Sequence, residues 1–129
     1  MLKLPTWMRV VMFATAIMNI LGAITFAPSA RALRAMGGLP DVAHPLYFAT
    51  VGAFIGLFGL AYLWSGITGR AGRQFVALAA AGKLTFFALL VRYWWAGLLT
   101  SKAALSGTGD LVVGSLFLVW LLSRSTRES

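Results

Sequence analysis

Lys83 is the residue whose type and position most call for chemistry, because it stands inside a long apolar run, Phe75–Leu99. It lies ten residues past Arg73, which is about 15 Å along a helix. A lysine at mid-membrane costs about 2.5–3.5 kcal/mol on insertion scales, so its ammonium is expected to face protein or water. The same counting puts Asn19, ten residues past Arg9, and Ser115, nine residues before Arg124, near one level. An ammonium donates three hydrogen bonds and accepts none, so the side-chain oxygens of Asn19 and Ser115 are suitable acceptors. Gly59 falls near that depth and leaves room. Lys83, Asn19 and Ser115 are thus the candidate ligand-binding set. No carboxylate is expected at their level, and such a site suits an anion or a polar headgroup, or locks the bundle. The alternative is a Lys83 that snorkels to the nearer interface.

A second candidate cluster lies toward the other end of the same run. Arg92 is nine residues beyond Lys83, and Asp110 opens the last apolar segment, where a carboxylate suits a helix N-terminus. An Arg92–Asp110 ion pair is expected to clamp the third and fourth spans, with Asp41 as the competing partner of Arg92. His44, the single histidine, completes this outer polar set. Metal ligation would need companions, and only Asp41 is near in sequence, so His44 reads as a loop or capping residue and no metal site is assigned. No carboxylate pair and no Ser-His-Asp arrangement fits a catalytic template. Gly82-Lys83 lacks the rest of the phosphate-loop pattern. No catalytic residue is assigned, and the sequence leaves any cofactor unknown.

The elements that position these residues follow from composition. Of 129 residues, 60% are apolar and 11% charged, against roughly 45–50% and 25% in soluble domains. A soluble fold of this size has too little polar surface to cover that apolar content, which leaves an all-α, polytopic membrane protein. The continuous runs exclude alternating β-barrel strands. Four spans are expected, approximately 10–27, 47–64, 75–99 and 109–123, forming one four-helix domain over 1–129 with an outer loop at 28–46. The fourth is short unless Thr108–Asp110 belong to it. The first run exceeds a signal-peptide core, and Arg31 sits inside the A-x-A-like Ala30-Arg31-Ala32, so an uncleaved first helix is the reading.

Net charge is +8, carried mainly between the apolar runs, the habit of loops beside anionic lipid rather than of a nucleic-acid stripe. Lys3, Arg9, Arg70, Arg73, Arg124 and Arg127 fall on one side of an even-numbered bundle, against Arg31, Arg34 and Lys102 on the other. That bias predicts both termini in the cytoplasm. Trp7, Tyr62, Trp64 and Trp120 read as one aromatic belt, and Tyr47, Tyr93, Trp94 and Trp95 as the other. In the loop, Ser29 is expected to cap a short helix through Met36, ended by Gly37 and Gly38, with Leu33 and Met36 sharing an outward face. Without cysteine there is no disulfide or thiolate chemistry. Gly52, Gly56 and Gly59 are helix-packing positions. They serve contact within the bundle or, through Gly52/Gly56, a homodimer face.

The order Asn19-Ile20-Leu21-Gly22, Phe26-Ala27-Pro28, Gly38-Leu39-Pro40, His44-Pro45-Leu46-Tyr47, Gly59-Leu60-Ala61-Tyr62-Leu63, Gly82-Lys83, Tyr93-Trp94 and Gly109-Asp110-Leu111 resembles small, uncharacterised bacterial four-span proteins, in outline the DoxX-like membrane proteins. The resemblance implies a four-helix bundle of the bacterial inner membrane and an accessory role beside a quinone-linked redox complex, and it assigns no catalytic residue. The expected functions are a non-catalytic accessory subunit or lipophilic-ligand-binding bundle, a small transporter or channel using Lys83, or, third, an enzyme on a lipophilic substrate.

Overall fold

In a computed structural model, which describes the backbone of residues 1–128 and the side chains of 1–123, the long apolar runs become helices α1 (Thr6–Thr25), α3 (Pro45–Thr68), α4 (Arg73–Trp95) and α6 (Thr108–Glu128). Short helices α2 (Arg31–Met36) and α5 (Ser101–Leu105) fill two of the connections. Four segments are long and apolar enough to cross a membrane: Thr6–Thr25, Pro45–Thr68, Arg73–Trp95 and Ser101–Ser123. The chain is a multi-pass membrane protein with an all-α four-helix bundle. The basic residues Arg124 and Arg127 lie outside the described side chains.

The boundaries move for local reasons. α3 starts at Pro45, whose missing N–H is harmless at a first helical position. It is capped by His44, whose Nδ1 accepts from the Leu46 N–H at 3.1 Å. It runs on to Thr68 and stops at Gly69, whose φ of 70° is left-handed. α4 ends at Trp95 rather than Leu99, because Gly97 turns the chain with φ 79°. In the connection from α1 to α3, α2 ends at Met36 as expected. Its N-cap is Ala30, without a side-chain cap bond, so Ser29 does not serve there. Leu33 and Met36 face outward.

The fourth crossing differs most. It gathers α5 and α6 into a segment beginning at Ser101, joined at Gly107. A methyl on Gly107 would meet Leu90 Cδ1 and Phe87 Cδ1, and one on Gly114 would meet Leu84 and Lys83 Cβ. These two contacts fix how α6 runs against α4. Asp110 lies between them and is therefore about one helical turn from Lys83.

α1 packs antiparallel on α3 through small residues. A methyl on Gly52 would lie 3.3 Å from Ala23 O, and one on Gly56 3.5 Å from Ala23 Cβ. At Gly59 it would reach 3.0 Å from Asn19 Cβ. The Gly52/Gly56 face is thus occupied by α1 of the same chain. α4 packs on α6, and α1 also touches α6.

The core concentrates at the end carrying the N-terminus, where Leu4, Met8, Met12, Val76, Phe117 and Trp120 cluster. Tyr62 and Trp120 belong to this core, each 2% exposed, and not to a surface belt. Both face neighbouring spans: the Tyr62 ring lies 5.5 Å from Phe75 and 5.8 Å from Phe117. Trp7, Trp64, Tyr47, Tyr93, Trp94 and Trp95 remain exposed, as interfacial rings should. At the core end the chain also makes a two-stranded antiparallel ribbon, β1 (Leu2–Lys3) with β2 (Arg70–Ala71), that periodicity alone did not announce.

Candidate functional site: an intramembrane lysine network and an apolar crevice

Lys83 is buried at 8% exposure, midway along α4. Its Nζ donates to Asp110 Oδ1 at 2.9 Å and to Asn19 Oδ1 at 3.2 Å. It also stands 5.5 Å from the centroid of the Tyr62 ring. One ammonium therefore touches α6, α1 and α3 together.

Each partner is placed by its neighbours. Because Gly59 has no side chain, α1 approaches α3 closely enough for Asn19 Nδ2 to donate to Ile55 O at 3.0 Å. A lysine only donates and a carbonyl only accepts, so the Asn19 amide has one orientation that satisfies both. Asp110 is positioned by the approach of α6 to α4 at Gly107 and Gly114. Residues 107, 110, 114, 117 and 121 recur at alternating spacings of three and four, one face of a helix.

Of the inner candidate set, Lys83 and Asn19 meet and Ser115 does not. Ser115 is exposed, while its neighbour Gly114 faces Lys83. The expectation that no carboxylate lies at this depth is overturned by Asp110. Arg124 marks only the far end of the fourth span, and the apolar run starts near Asp110, whereas the crossing itself begins at Ser101 and so carries Asp110 deeper. Lys83 is consequently a paired cation, and an anion site built on a lone lysine loses its premise. The burial of the ammonium is tolerated because a partly buried counter-ion and two hydrogen bonds stand beside it.

The outer polar set is not assembled either. Asp110 is engaged by Lys83, and Arg92 is exposed. Asp41 binds Arg31 at 2.7 Å and Arg34 at 2.7 Å, so it does not compete for Arg92. His44 caps α3, with Tyr47 edge-on at 6.3 Å.

Arg34, read only as a loop charge from the sequence, is a fixed structural centre, 1% exposed. Its guanidinium donates to the carbonyls of Thr25 and Pro28 at 3.1 and 3.0 Å, and to that of Ala27. It also lies 4.1 Å over the Phe48 ring. It thereby satisfies the Thr25 carbonyl that α1 leaves open at its C-terminal end and binds two carbonyls of the turn that follows. The hydrogen bonds from Arg31 and then Arg34 hold the Asp41 carboxyl below its ordinary value of 3.8. The signal was available in the spacing: two arginines on successive turns, then one acid seven residues on.

An apolar crevice of about 380 Å³ opens at the end opposite the N-terminus. Phe26, Leu39, Pro40, Phe86, Leu90 and Tyr93 form most of its wall. Phe26 is seven residues past Asn19, and Phe86 and Leu90 are three and seven past Lys83. These intervals keep each pair on one helix face. The crevice therefore follows the faces of α1 and α4 that carry the polar network deeper in the bundle.

No family model matches the chain, no curated protein is significantly similar to it, and no solved structure matches it.

Proposed function

We propose that this protein is a non-catalytic membrane bundle that binds a lipophilic molecule at the crevice beside α4, as an accessory component of a larger membrane system. The crevice carries this reading. Its volume of about 380 Å³ falls within the roughly 300–1,000 Å³ of small-molecule sites, and its wall is apolar and aromatic. Among the described residues Asp110, 20% exposed, keeps one carboxylate oxygen without a hydrogen bond, and Lys83 has one N–H beyond its two bonds. A ligand with an apolar body and a small polar head matches an apolar wall on the helix faces that carry this network deeper in the bundle. The DoxX-like resemblance would make a quinone the natural ligand and the bacterial inner membrane its place.

Native mass spectrometry of gently extracted protein tests the reading, with Leu89→Trp placing bulk in the crevice from an exposed position. The wild type should retain a lipophilic species that the variant releases while remaining helical. Equal retention by both, or none by either, defeats it.

A further inference from the structure

The two-residue ribbon places Lys3 directly opposite Arg70. Side chains so paired share one face, with Cβ atoms about 4.5–5.5 Å apart, and like charges there repel. The ribbon cannot turn away to relieve this. Leu4 N donates to Gly69 O at 2.8 Å, and Leu4 and Ala71 are buried at 3% and 0% exposure.

Among the described residues no acid compensates. Of the three acidic residues in the chain, Asp41 is held by Arg31 and Arg34, and Asp110 by Lys83. The third, Glu128, lies beyond the described side chains. Among the described residues neither Lys3 nor Arg70 has a side-chain hydrogen bond or ion pair. Arg9, donating to Gly66 O at 3.0 Å and Ile67 O at 3.1 Å, adds a further fixed cation beside the turn. α1 and α4 both start at this end without a side-chain cap or an acid in the first turn, so their own first turns add positive potential there.

From this convergence we infer that Lys3 and Arg70 form a binding site for a phosphate group, the headgroup phosphate of an anionic phospholipid. A phosphate between the two side chains turns the repulsion into two charge-assisted contacts, one of them able to be bidentate through the guanidinium. The membrane source follows from depth. Trp7, four residues after Lys3, and Trp64, six before Arg70, are exposed at 41% and 66%, and such rings settle at headgroup level.

The test measures binding of phosphatidylglycerol and phosphatidylcholine to the full chain in neutral detergent by native mass spectrometry. A parallel arm uses inorganic phosphate alone. Wild type should prefer phosphatidylglycerol by roughly 10- to 30-fold, the effect of two surface cations. The double variant Lys3→Gln/Arg70→Gln should fall to near parity. Lys3→Glu should also lose the preference, while its opposite-charge pair keeps the ribbon folded. Arg92→Gln/Lys102→Gln, which removes two exposed cations toward the other end, should keep it. Parity in the wild type overturns the site, as does a preference that survives both ribbon variants or is lost equally in the distant control. Inorganic phosphate binding as tightly as the lipid, and displacing it, overturns the membrane assignment.

Discussion

Lys83 Nζ stands 2.9 Å from Asp110 Oδ1, tying the middle of α4 to the third residue of α6. Removing one member of a buried pair strands the other charge, at about 3–5 kcal/mol, whereas replacing both by apolar residues is often near neutral. Asp110 is 20% exposed, so Asp110→Asn should destabilise the bundle by less than that, about 1–3 kcal/mol. Lys83→Met combined with Asp110→Leu should be much milder. Denaturation in mixed micelles checks the order, and a double variant weaker than Asp110→Asn contradicts it.

Gly59 and Gly82 should respond oppositely to added side chains. A methyl at Gly59 would approach Asn19 Cβ to 3.0 Å, while at Gly82 it meets nothing within 4 Å. Gly82→Ala removes backbone freedom from a helix interior and should stabilise by roughly 0.5–1 kcal/mol. Gly59→Val overfills the α1–α3 contact and should cost about 1–3 kcal/mol. Thermal unfolding of the two variants in one detergent separates them.

Arg34→Lys should loosen the outer loop although the charge is kept. An ammonium lacks the planar fork that reaches the Thr25 and Pro28 carbonyls together with Asp41. Faster hydrogen exchange over residues 25–41, with little change in α4, is the expected signature.

The Asp41 pairing carries a pH dependence. Its folded pKa is depressed below 3.8 by Arg31 and Arg34. The stabilisation is therefore present above the unfolded value and is lost as pH falls through the lowered folded one. The loop should open only in strong acid, below about pH 4. Asp41→Asn should abolish that step and show the opened exchange rates already at neutral pH.

Both termini should lie on the cytoplasmic side, as the distribution of basic residues implies. The chain has no cysteine, so introduced ones report cleanly. Gly72→Cys, in open space at the α3–α4 turn, and Ala35→Cys, exposed in the outer loop, should label from opposite sides. Labelling of both from one side contradicts the layout.

Composition and run length by themselves determined that this chain is a helical, multi-pass membrane bundle, because only continuous apolar helices satisfy their own backbone at these lengths. They left Lys83 either turned inward, since a mid-depth ammonium in lipid is costly, or snorkelling to the nearer interface, and the packed bundle decides for the first. Asn19 was legible beside it, as one helix with a fixed rise makes depth countable from a flanking arginine. Asp110 was not, because its depth depends on where the fourth crossing begins. That start is set by α5 and the contacts at Gly107 and Gly114, not by the edge of the apolar run. Ser115 failed for the complementary reason: depth counting gives level but not rotation about the axis, and one residue of rotation, about 100° in a helix, puts Gly114 and not Ser115 against Lys83. Arg34, Tyr62 and the Lys3–Arg70 ribbon likewise owe their roles to segments distant in the chain. Their partners are carbonyls, rings and strands that residue type and periodicity do not specify, and only the packed tertiary structure brings them together.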